Sequence, residues 1–95
     1  MKMLTAEEVY NKAIETYGKE HQCMVALEEM AELQKELCKN FRGRDNKLEI
    51  AEEIADVRIM LEQLTLIFDC RVNVYDFWNN KLERLERRLN GESEE

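Results

Sequence analysis

No proline occurs in the 95 residues and only three glycines do, so the chain has few places to turn and nothing that would break a helix from within. Cysteine is sparse and odd in number. Cys23, Cys38 and Cys70 are widely spaced and form no Cys-x-x-Cys pair, which argues against a disulfide framework or a thiolate zinc site and for thiols that pack as small apolar groups. A single histidine, His21, leaves no His-based zinc site within one chain and one imidazole for any Ser-His-Asp or Cys-His centre. Hydrolytic chemistry would rest on carboxylates instead. No run of about 18 apolar residues is present, and the first residues reach Glu7 and Glu8 without an apolar stretch. Neither a membrane span nor a signal peptide is expected, and the cytoplasm is the expected compartment.

Charge, by contrast, is abundant. It makes up 37% of the residues, against about a quarter in an ordinary domain. Asp and Glu number 21 and Lys and Arg 14, for a net charge of -7, a field that repels nucleic-acid polymers and anionic membranes. Neither is an expected partner. The length suits one helical domain over residues 1–90, followed by an acidic, disordered tail over 91–95.

Gly18, Gly43 and Gly91 fall where helical periodicity breaks and read as helix ends. A first, short helix is expected after Thr5, with Glu8 as capping-box partner, ending near Tyr17. A second runs from about Lys19 to Asn40 with Cys23, Leu27, Met30, Leu33 and Leu37 as its apolar stripe, extended by Phe41. A third follows the caps Asp45 and Asn46 and continues to about Asp69, burying Ile50, Ile54, Val57, Leu61, Leu64 and Phe68. The fourth has no glycine before it; Asn73 is taken as its cap, with Val74, Phe77, Trp78, Leu82, Leu85 and Leu89 following. The expected architecture is all-α and four-helix-bundle-like, with two long central helices and antiparallel neighbours. Further apolar residues outside the stripes, among them Met24, Ala31, Cys38, Ile59 and Leu66, predict a second hydrophobic face and a homodimer or homotetramer.

The acidic rows are the informative feature. Glu29, Glu32 and Glu36 succeed one another at helical steps beside the second helix's apolar stripe, and Glu49, Glu53 and Asp56 do the same on the third. Antiparallel packing through the turn at Gly43 sets Glu29 and Glu32 across from Glu53 and Asp56. Four converging carboxylates repel one another unless a hard divalent cation compensates, and Mg²⁺ completes its shell with substrate phosphates. A single Glu-x-x-Glu pair would say little, because Glu is common on helices; two acidic pairs on adjacent helices predict a Mg²⁺-phosphate centre. Lys39, Arg42, Arg44 and Lys47 crowd the turn between these helices, and Lys81, Arg84, Arg87 and Arg88 crowd the last helix. They serve either as solvated charge and i,i+4 partners of Glu83 and Glu86 or as phosphate contacts, Arg44 and Lys47 among them.

The run Glu28-Glu29-Met30-Ala31-Glu32, followed after twenty residues by Glu53-Ile54-Ala55-Asp56, resembles the Glu-Glu-x-x-Glu and Glu-x-x-Asp signature of the MazG-like all-α nucleoside triphosphate pyrophosphohydrolases. Gln22, Ala26-Leu27, Leu33 and Asn79-x-Lys81-x-x-Arg84 extend the likeness across roughly residues 18 to 88. The resemblance implies a MazG-type domain that hydrolyses (deoxy)nucleoside triphosphates, noncanonical ones included, to the monophosphate and pyrophosphate, a nucleotide-pool house-cleaning activity. It implies Glu29, Glu32, Glu53 and Asp56 as catalytic Mg²⁺ ligands, with Mn²⁺ able to substitute, and Lys81 and Arg84 as phosphate contacts supported by Asn79. Glu28 and Glu52, lying further round their helices, are secondary candidates, and Glu49, which shares the acidic row, is an outer ligand or a base. For the nucleobase the candidates are Gln22, Trp78 and Asn79, with Tyr75, Phe41, Phe77 and Asn80 behind them; the aromatics suit a core as well as a base. Two readings compete with the enzyme: a non-catalytic nucleotide-binding regulator or adaptor of the same fold, and a plain coiled-coil interaction protein.

Overall fold

The computed structural model describes residues 3–92, and the expectation of a disordered tail falls largely on residues outside that range. Among the described residues the chain is all-helical: α1 (Ala6–Tyr17), α2 (Lys19–Phe41), α3 (Lys47–Ile67) and α4 (Arg71–Leu89). No helix among them is long and apolar enough to cross a membrane.

Local chemistry accounts for the ends. Thr5 and Glu8 form the expected capping box, each side chain bonded to the other's backbone N–H at 3.1 Å. After α2, Gly43 takes φ +99°, and the Gly43 and Arg44 amides donate back to the carbonyls of Asn40 and Lys39, the paired closure of a Schellman turn. The same closure follows α3, where the amides of Asp69 and Cys70 donate to Leu66 and Thr65. Here the left-handed position is held by Asp69, at φ 49°. This corrects the last boundary: α4 begins at Arg71 with Cys70 at its N-cap position, not at Asn73. Asp tolerates the left-handed region without announcing it as glycine does.

The antiparallel α2–α3 pair is the body of the protein, and α1 leans on both. The face that α2 turns to α3 is not the expected stripe. Gln22, Ala26 and Glu36 are its buried residues, with Glu29 and Leu33 half-buried between them, whereas Leu27 and Phe41 are 59% and 84% exposed. On α3 the buried residues are Met60 and Gln63; of the expected stripe Ile50, Val57 and Leu64 are half-buried, while Ile54, Leu61 and Phe68 are exposed. Glu29, Glu36, Glu53 and Asp56 of the acidic rows therefore lie in the seam within the chain, and part of each apolar stripe lies outside it. A helix with two packing faces does not declare in its periodicity which face its own chain will cover.

Nor do the four helices close a bundle within one chain. α4 packs on α3 near its own start and touches α1 only through the Arg71–Glu7 pair, and every one of its residues is exposed. Accessible surface is 8084 Å², against about 5,800 Å² for a compact monomer of this mass. The radius of gyration is 16.9 Å, against about 12 Å for a compact domain of this length.

Candidate metal centre

α2 and α3 run antiparallel from the Gly43 turn, so residues equidistant from the turn come opposite one another. This brings Glu29 of α2 together with Glu53 and Asp56 of α3: one carboxylate oxygen from each lies within 4.8 Å of the other two. All three are half-buried. Glu32 is exposed and stands outside this triad, at its rim, close enough for its charge to be felt by both Glu29 and Glu53.

The electrostatics are those of an uncompensated anionic cluster. Loss of solvent, and then the charges of Asp56 and Glu53, push the Glu29 carboxyl above its ordinary value, and Asp56 lies within hydrogen-bonding reach of it. Glu53 is raised in the same way, by desolvation first and then by Asp56 and Glu32. One oxygen of Glu53, Oε2, is cut off from solvent and has no hydrogen-bond partner, the one such side-chain atom among the described residues. Buried polar atoms are nearly always paired. An orphaned carboxylate oxygen beside two further carboxylates has the donor type and the spacing that a hard, oxygen-seeking cation requires. The residues present thus fit Mg²⁺ or Mn²⁺.

The seam is bounded by polar contacts at both ends. Gln22 Nε2 donates to Gln63 Oε1 at 2.7 Å, and Gln22 Oε1 pairs with His21 Nδ1 at 2.9 Å. Gln22 is thus 5% exposed, with its amide oxygen and nitrogen each holding a partner. At the other end Glu36 accepts from Asn46 and from Lys39. Asn46 does not cap α3 as expected: it occupies the N-cap position without a side-chain capping bond, and its amide turns back to α2. Glu36, Asn46 and Gln63 are buried polar residues whose roles the sequence did not reveal, because each depends on a partner from the opposite helix.

The basic candidates stand apart from the triad. Arg44 joins Lys39 and Arg42 around a recess of about 290 Å³ at the turn, and Lys47 is exposed at the start of α3. Lys81, Arg84, Trp78 and Asn79 are carried by α4, which does not neighbour α2. Trp78 and Asn79 border an open groove of about 350 Å³ with Tyr75, Val74 and Arg71. The aromatics are not core in this chain: Phe41, Tyr75, Phe77 and Trp78 are each more than half exposed. A second groove, about 610 Å³, lies between α1, α3 and the start of α4, where Arg71 pairs with Glu7; none of the four motif carboxylates lines it. Comparison with protein-family models, with curated proteins and with solved structures found no match to the chain.

Proposed function

We propose that this protein is a MazG-like, Mg²⁺-dependent pyrophosphohydrolase that cleaves (deoxy)nucleoside triphosphates to the monophosphate and pyrophosphate, working in the cytoplasm as a homo-oligomer. The observation that carries the reading is the meeting of Glu29, Glu53 and Asp56 in the α2–α3 seam, with Glu53 Oε2 lacking any partner. A structural helix pair has no use for three half-buried acids, each raising the cost of ionising the next.

Glu29, Glu53 and Asp56 would hold the cation, and Glu32 would add a fourth carboxylate from the exposed rim. Bound Mg²⁺ supplies neutralisation of phosphate charge and an acidified water molecule as nucleophile. A carboxylate of the Glu29, Glu32, Glu53 and Asp56 cluster would accept the proton of the attacking water, so the reaction would need neither the lone histidine nor a serine. Arg44, Lys47, Lys81 and Arg84 would take the phosphate oxygens left over. Trp78 and Asn79 would face the base.

The oligomer follows from surface. The chain exposes about 2,300 Å² more than a compact monomer would, a quantity that suits one side of an obligate homodimer interface. α4 is the part most in need of cover: Trp78, Leu82, Leu85 and Leu89 recur at steps of four, three and four, and all are at least 49% exposed. Because the α4 cations stand on a helix that the α2 carboxylates do not neighbour, association is also the step that would complete the site.

The test is to incubate the protein with Mg²⁺ and a panel of canonical and modified NTPs and dNTPs, measuring pyrophosphate and orthophosphate separately. Pyrophosphate with a matching monophosphate is the expected product. Orthophosphate alone would place the cleavage elsewhere, and no turnover with retained nucleotide binding would leave the non-catalytic module of the same fold.

A further inference from the structure

Asn46 has the most enclosed polar side chain among the described residues, 1% exposed, and every hydrogen-bonding group it has is used. Its Nδ2 donates both hydrogens to Glu36, one to the backbone carbonyl at 2.9 Å and one to Oε1 at 3.0 Å. Its Oδ1 accepts from Asn40 Nδ2 at 3.3 Å. Glu36 is buried as well, and its second oxygen takes the Lys39 ammonium at 3.0 Å. Such a network ties the end of α2 to the first turn of α3, and one of its bonds reaches main chain, which cannot swing aside as a side chain can.

The position of this knot relative to the acids is what gives it meaning. Glu36 lies seven residues beyond Glu29 on α2, and Asn46 lies seven residues before Glu53 on α3. Two helical turns, about 10 Å, thus separate the knot from each carboxylate along antiparallel helices. Equal arms measured from one fixed point bring Glu29 and Glu53 face to face. A slip of one helix by a single turn, about 5.4 Å, would exceed the 4.8 Å within which the three ligand oxygens now lie. Apolar packing alone defines the register loosely, since Ala26 and Met60 are the only buried apolar residues among those described and the rest of the apolar contacts are half-exposed. A fully satisfied buried polar network supplies the missing definition.

We infer that Asn46 and Glu36 form a positioning latch that sets the register of α2 against α3 and thereby the spacing of Glu29 from Glu53 and Asp56. The inference rests on the metal reading of those carboxylates, and neither latch residue is itself a ligand. What matters is the hydrogen bond, not the charge of Glu36.

The experiment compares full-length wild type, Asn46→Ser and Glu36→Gln. Serine is a good helix N-cap, so α3 can still start, yet its side chain is too short to bridge to α2; glutamine keeps an acceptor oxygen for Asn46 while removing the charge. Two readouts are taken. Mn²⁺ affinity by electron paramagnetic resonance should weaken tenfold or more in Asn46→Ser, because the three ligand oxygens no longer converge, and stay within about threefold of wild type in Glu36→Gln. In metal-free protein, amide resonances of Glu29, Glu53 and Asp56 should shift in Asn46→Ser while helix content holds, and remain near their wild-type positions in Glu36→Gln. The latch is overturned if Asn46→Ser leaves those resonances and the affinity unchanged, or if Glu36→Gln loses as much as Asn46→Ser. Failure of wild type to bind Mn²⁺ would remove the metal reading instead, and the resonances would still decide the latch. Should Asn46→Ser not fold, Glu36→Leu against Glu36→Gln makes the same comparison from the other partner.

Discussion

Gln22 of α2 and Gln63 of α3 join their amides across the buried seam at 2.7 Å. Both are at most 5% exposed, so removing one partner strands the other where water cannot replace it. Gln63→Leu should cost about 1–3 kcal/mol in urea unfolding. The double change Gln22→Leu with Gln63→Leu should recover much of that loss, because two apolar side chains can pack where one stranded amide cannot. Additive losses would show that the pair is not coupled.

The acids make stability depend on pH in a direction that a solvated surface would not. Glu29 and Glu53 have folded-state values above their ordinary ones, so the folded state holds protons that the unfolded state has already released. Stability of the metal-free protein therefore falls as pH rises from about 4.5 through the raised folded values. Glu36 runs the other way. Its bonds with Asn46 and Lys39 hold it below its ordinary value, so its contribution is present above about pH 4.5 and is lost in stronger acid. Melting of the metal-free protein should peak close to the ordinary carboxylate range and decline at higher pH, and saturating Mg²⁺ should abolish the decline. A melting temperature flat from pH 5 to 8 without metal would contradict the desolvated cluster.

The exposed stripe of α4 is the surface on which the proposed homo-oligomer rests. Sedimentation of wild type should give a multiple of the 11.4 kDa chain mass, and its melting temperature should rise with protein concentration. The double change Leu82→Glu with Leu85→Glu puts two charges into that stripe and should yield the single chain. A monomeric wild type would remove the proposed interface.

How much of this was legible in the sequence differs by element. The Thr5–Glu8 box and the turn at Gly43 were readable because each is a local device, complete within a few residues. The turn at Asp69 was not: its left-handed backbone is carried by an aspartate, and the helix start was set three residues late. Asp69→Val should cost about 1–2 kcal/mol, since a β-branched side chain resists that conformation, with a loss of several degrees in melting temperature. The carboxylates were legible as rows, and their pairing across the turn followed from antiparallel packing. What periodicity concealed was direction. Leu27, Ile54 and Leu61 belong to regular stripes that read as buried, yet they face outward while Gln22, Glu36 and Gln63 face in, because spacing alone does not say which face of a helix its own chain will cover.

The central claim is that the α2–α3 seam holds a divalent cation between Glu29, Glu53 and Asp56. Calorimetric titration of Mn²⁺ into wild type and Glu53→Gln tests it most directly. Saturable binding to wild type is expected, with proton release at pH values where the raised Glu29 and Glu53 carboxyls still hold protons, and binding at least tenfold weaker in Glu53→Gln even though that variant, relieved of one repelling charge, melts higher than metal-free wild type. Equal affinity in the two proteins, or no saturable binding to wild type, would contradict it.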